Sequence, residues 1–333
     1  SEDPSYKSFL PLVEKGSYSP VTTSSLMWEH KWPIKPEIVL EGGNVGYNKD
    51  SKDIKYDNFE HLELLTTNKN YYYGKLFTTM NGTSSATAQA ANLAIRIMDE
   101  YPNIWPQTVK AIMVHSSSWT DAMIRQSYGD KEINKLTKTE LRQLLRIVGY
   151  GKPDLNKALF SFNNSVNLIV EDEIQPFKKE KGRVKINEMS LHEIPWPSEV
   201  LIALGETPIK MKVTLSYFVD PSPGEIGWED KYRYPGCRLS FDVNNTNEDK
   251  ERFLYRINKN IQNEEKSKGT TYDSLNDSNR WLLGTNNRNV GSIHSDIWED
   301  TAANLAENRY IAVYPGGGWW KERRYLNKYD SKI

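Results

Sequence analysis

The sequence predicts two fold classes in succession: an α/β domain over residues 1–160 and an all-β domain over residues 161–333. Three observations support this prediction. Helical and strand patterns are mixed in the first part, whereas short alternating apolar runs between Pro and Gly clusters dominate the second. The length of 333 residues fits two domains. We expect the second domain to be an antiparallel β-sandwich of jelly-roll type.

The elements of the first domain follow from local patterns. Strands are predicted over residues 34–40 and 71–80, and each run is followed by a turn that contains Gly and Asn. Residues 86–98 are rich in alanine and apolar nearly all round, which predicts a buried helix. Three further helices are predicted. The first covers residues 107–116 and follows Pro106, and the third covers residues 154–159. The second begins at the capping box of Thr137 and Glu140 and ends at Gly149.

The second domain shows mainly strand patterns. Apolar residues alternate in several short runs, and only residues 250–264 have a helical pattern. The predicted strands are residues 166–170, 184–186, 200–204, 209–218, 238–243 and 310–314.

The composition excludes several classes of protein. There are 43 Lys and Arg against 44 Asp and Glu, so the formal net charge is −1 and no nucleic-acid partner is expected. No apolar run reaches the ~18 residues of a membrane span, so no membrane partner is expected either. Residues 1–8 are polar and do not have the pattern of a signal peptide. Cys237, the single cysteine, excludes an internal disulfide and a multi-cysteine metal cluster, and we interpret it as a small residue beside a strand.

One segment combines features that can support chemistry: Asn81-Gly82-Thr83-Ser84-Ser85. A predicted strand leads into a glycine turn, and a serine opens the alanine-rich helix. The first N–H groups of a helix lack internal acceptors, and the helix dipole adds positive potential there. A serine at this point presents its Oγ beside donors that can stabilise an oxyanion. The alternative is that these hydroxyl residues only cap the helix.

The wider sequence around this segment resembles that of a known family. NGTSSATAQA at 81–90, followed by YPNIWPQTVK at 101–110, resembles the nucleophile segment of subtilisin-like serine proteases (subtilases), in which N-G-T-S-M-A-[ST]-P opens the central helix. KPEIVLEGG at 35–43 and GYGKPDLNKA at 149–158 match two further family motifs in the same order. The resemblance implies that residues 1–160 are the C-terminal portion of a three-layer α/β catalytic domain. MKVTLSY at 211–217 resembles, more loosely, a strand of the β-sandwich domains that follow many subtilase domains.

This resemblance implies specific roles. Ser84 becomes the nucleophile of a serine endopeptidase, and the Ser84 backbone N–H together with the Thr83 hydroxyl becomes part of the oxyanion hole. A protein or peptide substrate would transfer its acyl group to Ser84 before water hydrolyses the ester, without a cofactor or a metal. The chain departs from the family at Ala88 (Pro in the family), at Gln89 (His in the family) and at residues 40–42, which replace A-P-G. None of these changes removes a catalytic group.

The other catalytic motifs of the family do not occur in residues 1–80: D-[ST]-G, H-G-T-x-V-A-G and A-G-N. We interpret His30 and His61 as surface residues, and His115 as a packing or helix-terminal residue. We therefore expect a longer subtilase whose upstream part supplies Asp and His, and an inactive isolated chain, because a serine without an imidazole base is a poor nucleophile. The motifs together resemble a bacterial intracellular group of subtilases, which implies a cytoplasmic location and an ATPase partner.

Two other functions stay open at this point. The parent protein can be a pseudoprotease or an interaction module if its Asp or His is also lost. The chain can also be a complete α/β-hydrolase esterase with a G-x-S-x-A elbow at Ser84. That fold requires an acid and a base downstream, for which Asp154 and either His192 or His294 are the candidates.

Overall fold

The structure is a computed structural model, and it describes residues 8–28, 32–56, 59–159, 167–224, 234–266 and 280–333. The chain divides into two compact units. Unit 1 consists of the described residues of Ser1–Met27, Ile34–Ile104 and Ile112–Asn167, and unit 2 of those of Trp28–Pro33, Trp105–Ala111 and Leu168–Ile333. The predicted boundary at residues 160 and 161 lies outside the described residues, so that division stays a prediction.

Unit 1 contains two small sheets. The first has the strand order β1-β2-β3 and the second is the hairpin β4-β5. The strands are β1 (Phe9–Pro11), β2 (Gly46–Asn48), β3 (Ile54–Lys55), β4 (Leu64–Thr67) and β5 (Phe77–Met80). Every described strand pair of unit 1 is antiparallel. The α/β prediction therefore holds as mixed content, while the three-layer arrangement, which is built on a mostly parallel sheet, stays a prediction.

Both strand predictions in unit 1 need correction. Residues 34–40 are not a strand, although Val39 donates a backbone hydrogen bond to Gly151 O. Residues 71–80 form a strand only from Phe77, because a 3-10 turn at Tyr71–Tyr73 and Gly74 at φ +80° precede it. An apolar or aromatic run therefore did not identify strand starts reliably here.

The helices of unit 1 agree with the sequence patterns more closely. They are α1 (Thr83–Glu100), α3 (Asp121–Tyr128), α4 (Lys138–Val148) and α5 (Leu155–Leu159), together with the end of α2 (Pro106–His115), whose residues 106–111 belong to unit 2. The predicted capping box of α4 is present, and Leu141, Leu144, Leu145 and Val148 of that helix are buried in the core. The pattern gave no indication of α3.

The prediction that α1 is buried is wrong for this structure. Only Leu93 and Ile97 are buried, while Ile95 is 64% exposed and Met98 is 55% exposed. A helix that is apolar all round requires neighbours on every side, but its own sequence cannot show whether they lie in the same chain. The described residues do not provide that cover.

Unit 2 contains three antiparallel sheets, with strand orders β10-β12-β8, β9-β11 and β6-β7. The strands are β6 (Phe177–Glu180), β7 (Arg183–Ile186), β8 (Ser190–Glu193), β9 (Pro208–Ser216), β10 (Leu239–Val243), β11 (Ile293–Thr301) and β12 (Tyr310–Pro315). The helices are α6 (Ser198–Leu204), α7 (Lys250–Lys266), α8 (Thr285–Arg288), α9 (Ala302–Ala306) and α10 (Trp319–Glu322). Sheets of three, two and two strands do not establish the predicted jelly-roll-like β-sandwich, which stays a prediction.

Most predicted elements of unit 2 are present. Strands at 184–186, 209–218, 238–243 and 310–314 and the helix at 250–264 agree with β7, β9, β10, β12 and α7. Residues 200–204 are helical in α6 rather than a strand, and residues 167–170 form no strand, while residue 166 lies outside the described residues. The strands β6, β8 and β11 and the short helices α8, α9 and α10 were missed. No described helix combines the length and the apolar character that crossing a membrane requires.

The core of unit 2 is rich in tryptophan. One cluster contains Met211, Phe241, Val243, Trp281, Trp298 and Leu305. A second cluster surrounds the completely buried Cys237 and includes Phe177, Leu239, Trp319 and Trp320. Cys237 lies two residues before the start of β10, which agrees with its interpretation as a small residue beside a strand.

Candidate active site

The segment with the candidate nucleophile is a strand–turn–helix connection in unit 1. β5 ends at Met80, Asn81 and Gly82 form the turn, and α1 begins at Thr83. Gly82 has φ +135°, a conformation that residues with a Cβ rarely adopt, so the turn requires glycine. The Gly82 N–H donates to Gly42 O at 2.8 Å and fixes this turn to the preceding glycine turn.

Asn81 connects the same two turns through its side chain. Its Nδ2 donates to Asn44 O at 3.1 Å and to Tyr56 O at 2.9 Å. Gly43 has φ +88°, and a Cβ at this position would lie 1.8 Å from Asn81 Oδ1. The close approach of the two turns therefore depends on Gly43 having no side chain.

The motif segment at 149–158 lies beside the one at 35–43. Tyr150 N donates to Glu37 O at 2.8 Å, and Val39 N donates to Gly151 O at 3.0 Å. A Cβ on Gly149 would lie 2.3 Å from Glu37 O, so this contact also requires a glycine. The structure thus brings together parts of three of the four segments that the sequence singled out, at 35–43, 81–85 and 149–151.

Ser84 is the second residue of α1, and its side chain is exposed. The N-cap of α1 is Gly82, and no side chain caps this helix end, so the capping interpretation of Ser84 is wrong. No side chain among the described residues hydrogen-bonds to Ser84. Thr83 is exposed as well. An 18-residue helix, whose dipole has its positive end here, thus begins next to an accessible hydroxyl.

Gln89 has a role that sequence reasoning missed. Its Nε2 donates to Glu41 O at 2.7 Å and to Ser85 O at 3.2 Å. This amide, which stands where the family has His, joins the first turns of α1 to the glycine turn at 42–43. The position was recognisable as a departure from the family pattern, but the pattern did not indicate this contact.

The histidines of unit 1 do not complete a catalytic pair in this chain. His61 is exposed and lies edge-on to Phe59, with 6.1 Å between ring centroids. His115 is the last residue of α2 and is half-buried, as predicted. His30 lies outside the described residues. No hydrogen bond or ion pair joins Ser84 to a histidine that the structure describes.

Asp154 and His192, two candidates of the α/β-hydrolase alternative, make other contacts. Asp154 Oδ1 accepts a hydrogen bond from Lys157 N at 3.1 Å at the start of α5. His192 Nε2 lies 2.9 Å from Ser190 Oγ, and this hydroxyl also donates to Asp172. Asp154, which shares unit 1 with Ser84, makes no hydrogen bond to this serine among the described residues.

His294, the remaining candidate base, is completely buried in unit 2. Its Nε2 lies 3.3 Å from Gly291 O and 3.4 Å from Tyr217 Oη. Burial, reinforced by the positive charge of Arg238, lowers the pKa of His294 to about 3. A sealed imidazole that resists protonation is unsuited to general base catalysis, so this geometry gives the esterase alternative no support.

Comparison with known proteins places these observations in context. The model of the Subtilase family matches residues 12–151. A stretch of 208 residues is 26% identical to a protein of Sinorhizobium fredii (strain NBRC 101917 / NGR234) that carries the name "Uncharacterized protein y4bN", and it covers 62% of this chain and 42% of that protein. The aligned part of the chain thus spans less than half of this relative. No solved structure matches the chain.

Proposed function

We propose that this chain, of which residues 12–151 match the model of the Subtilase family, supplies Ser84 as the nucleophile of a serine endopeptidase. The family match confirms the resemblance predicted from the motifs and supports a peptide-bond hydrolase in general. The observation that carries the finer proposal is the exposed hydroxyl of Ser84 at the start of α1. The tight turns at Gly82 and Gly43 hold that serine on a fixed backbone.

In the proposed reaction, Ser84 Oγ attacks the carbonyl carbon of a peptide bond while a general base removes its proton. The C–N bond breaks, the proton passes to the leaving amine, and the acyl group stays on Ser84 until water hydrolyses the ester. The Ser84 N–H and the Thr83 hydroxyl stabilise the oxyanion, assisted by the dipole of α1. Removing one such donor typically lowers kcat about 10²–10³-fold.

The base, its carboxylate and the oxyanion asparagine come, in this proposal, from an upstream part of a longer parent protein. Two observations support this arrangement. The Asp, His and Asn motifs are absent from residues 1–80. α1 exposes Ile95 and Met98, which are large apolar side chains on a helix whose sequence is suited to burial. The cytoplasmic location and the ATPase partner stay predictions.

A fluorophosphonate probe tests the proposal, because it labels only a serine that a base activates. We expect no labelling of this chain alone, and stoichiometric labelling of Ser84 together with casein cleavage in the parent protein. Ser84→Ala in the parent should abolish both signals. Ser85→Ala, a change at the neighbouring half-buried serine, serves as the matched control and should retain labelling.

Two outcomes would count against this scheme. Rapid labelling of the isolated chain would show that the base lies within it. A correctly folded parent protein that is neither labelled nor active would favour the pseudoprotease or interaction-module function instead.

A further inference from the structure

The hairpin β4–β5 with its connecting loop, residues 64–80, is an unusual surface directly before the candidate nucleophile. We call it the tyrosine hairpin. β5 ends at Met80, only four residues before Ser84, so the hairpin and the serine share one continuous stretch of backbone in unit 1. Whatever binds to the hairpin is therefore held close to α1.

One face of the tyrosine hairpin is apolar and exposed. The register pairs Leu65 with Thr79 and Thr67 with Phe77, which places these four side chains on the same face. Leu65 is 71% exposed and Phe77 is 60% exposed. A two-stranded hairpin has little stability of its own, and exposed apolar clusters of this kind mark binding surfaces.

The tip of the tyrosine hairpin adds aromatic rings and positive charge. Tyr71, Tyr72 and Tyr73 are all exposed, and the rings of Tyr71 and Tyr72 lie 3.9 Å apart between centroids. Lys69 and Lys75 flank them, and residues 64–80 contain no acidic side chain. Tyrosine rings provide a large contact area at a low entropic cost, and exposed ammonium groups attract carboxylates.

The acidic residue nearest in sequence is already engaged. Glu63, at the base of the tyrosine hairpin, accepts a hydrogen bond from Thr79 Oγ1 at 2.6 Å. Its carboxylate is thus bound to a strand hydroxyl at the base of the hairpin. Lys69 and Lys75 lie at the tip, which is the opposite end. The outer part of the hairpin is therefore complementary to a ligand that is both acidic and apolar.

We propose that the tyrosine hairpin docks a segment of the protein substrate in which acidic residues stand next to aromatic or aliphatic ones. The inference rests on the proposed function, since it places this segment on the hairpin that leads directly to Ser84. A substrate held on the hairpin is tethered near the nucleophile, which raises its effective concentration there. The charge of the tip favours a substrate segment of this composition over a neutral apolar partner.

Peptide binding to the chain itself tests this inference without catalysis, so its failure is distinct from a failure of the nucleophile assignment. The probe is a fluorescein-labelled peptide of Asp, Glu, Phe and Leu, and anisotropy is the readout. We expect saturable binding that weakens with added salt. A peptide with Lys in place of Asp and Glu, and an acidic peptide without apolar residues, should both bind about tenfold more weakly or worse.

Substitutions locate the binding. Lys69→Glu with Lys75→Glu, and Tyr71→Ser with Tyr72→Ser and Tyr73→Ser, should each weaken binding about tenfold, whereas the three Tyr→Phe changes should retain it. Tyr255→Ser with Lys259→Glu is the matched control on α7, where both residues are exposed. It should leave binding unchanged.

Three results would overturn the inference. The first is equal binding of the acidic and the basic peptide, and the second is loss of binding in the control alone. The third is a parent protein that has active Ser84 but does not bind the peptide, because its upstream part would then occupy the tyrosine hairpin.

Discussion

The side-chain amide of Gln89 makes two hydrogen bonds that connect parts of the site distant in sequence. It reaches Glu41 O, 48 residues away, as well as Ser85 O within the helix. A carbonyl oxygen that loses such a donor must find water or stay unpaired. The orientation of the first turn of α1, and with it Ser84, depends in part on this one side chain.

We expect Gln89→Leu to lower the free energy of unfolding by about 1 kcal/mol, because leucine keeps the bulk but donates no hydrogen bond. Urea unfolding followed by circular dichroism measures the change. Asn92→Leu, at an exposed position of the same helix, is the control and should stay within about 0.5 kcal/mol of the original protein. Equal losses in both variants would contradict the role assigned to Gln89.

At the scale of elements, the start of α4 has both hydrogen bonds of a capping box, and they join residues that are close in sequence. Thr137 Oγ1 accepts from Glu140 N at 3.2 Å, and Glu140 Oε2 accepts from Thr137 N at 2.8 Å. The hydrogen bond from Lys131, followed by that from the Thr137 backbone, lowers the pKa of Glu140 to about 2. All three residues lie within ten positions, which is why the sequence sufficed to predict this helix start.

Thr137→Ala should lower the stability of unit 1 by about 1 kcal/mol, since it removes the cap of α4. Thermal unfolding checks this, with Thr139→Ala, an exposed threonine in the same turn, as the control that should change little.

The folded pKa of Glu140 lies below its ordinary value of 4.5, so its contribution is present above pH 4.5 and is lost as the pH falls towards 2. The difference in melting temperature between the original protein and Glu140→Gln should therefore shrink across that window. A difference that grows on acidification would contradict the pairing.

Elements without local signals were predicted poorly. The aliphatic run at 200–204 fits a strand or a helix, and tertiary packing decides: Leu201 of α6 packs against Ala302 and Ala306 of α9. Nothing within five apolar residues indicates that contact, because its partners lie about a hundred positions away. The sequence indicates that one side of the run is buried. It does not show whether the apolar residues follow the period of a strand or that of a helix.

β11 was missed because the residues that it buries are polar, whereas the sequence analysis looked for apolar runs. His294, Ser295 and Asp296 are all inaccessible to solvent. Their partners come from elsewhere in the chain: Ser295 Oγ lies 2.8 Å from Thr214 Oγ1, and Asp296 accepts from the backbone N–H groups of residues 283 and 284. A polar strand of this kind is visible only once its partners are in place.

At the scale of the whole molecule, the sequence predicted mixed α/β content, but neither the contacts between the motif segments nor the exposed faces of α1. That helix has the composition of a core element, and only the structure reveals that the described residues leave it open. In unit 2, the feature that links the stability of the whole unit to pH is an uncharged histidine in the core. The pKa of His294, about 3, lies well below its ordinary value of 6.5.

The contribution of His294 to the stability of unit 2 should be lost on acidification. Because the folded pKa of His294 is depressed, the unfolded chain binds more protons between pH 6.5 and 3, and stability falls as the pH drops through this window. The slope approaches about 1.4 kcal/mol per pH unit for one group. Tryptophan fluorescence during urea unfolding at several pH values measures it. His294→Gln should flatten the slope, whereas His61→Gln, at an exposed site, should not.

The rate at which the Cys237 thiol is alkylated reports how often the core around it opens. Cys237 is the only thiol of the chain, and it is sealed beneath Trp319 and Trp320. An alkylating reagent such as iodoacetamide can reach its sulfur only when that aromatic cluster separates. The rate of alkylation of the untreated protein, read as a single mass increment, therefore counts the spontaneous openings of one defined region without any engineered label.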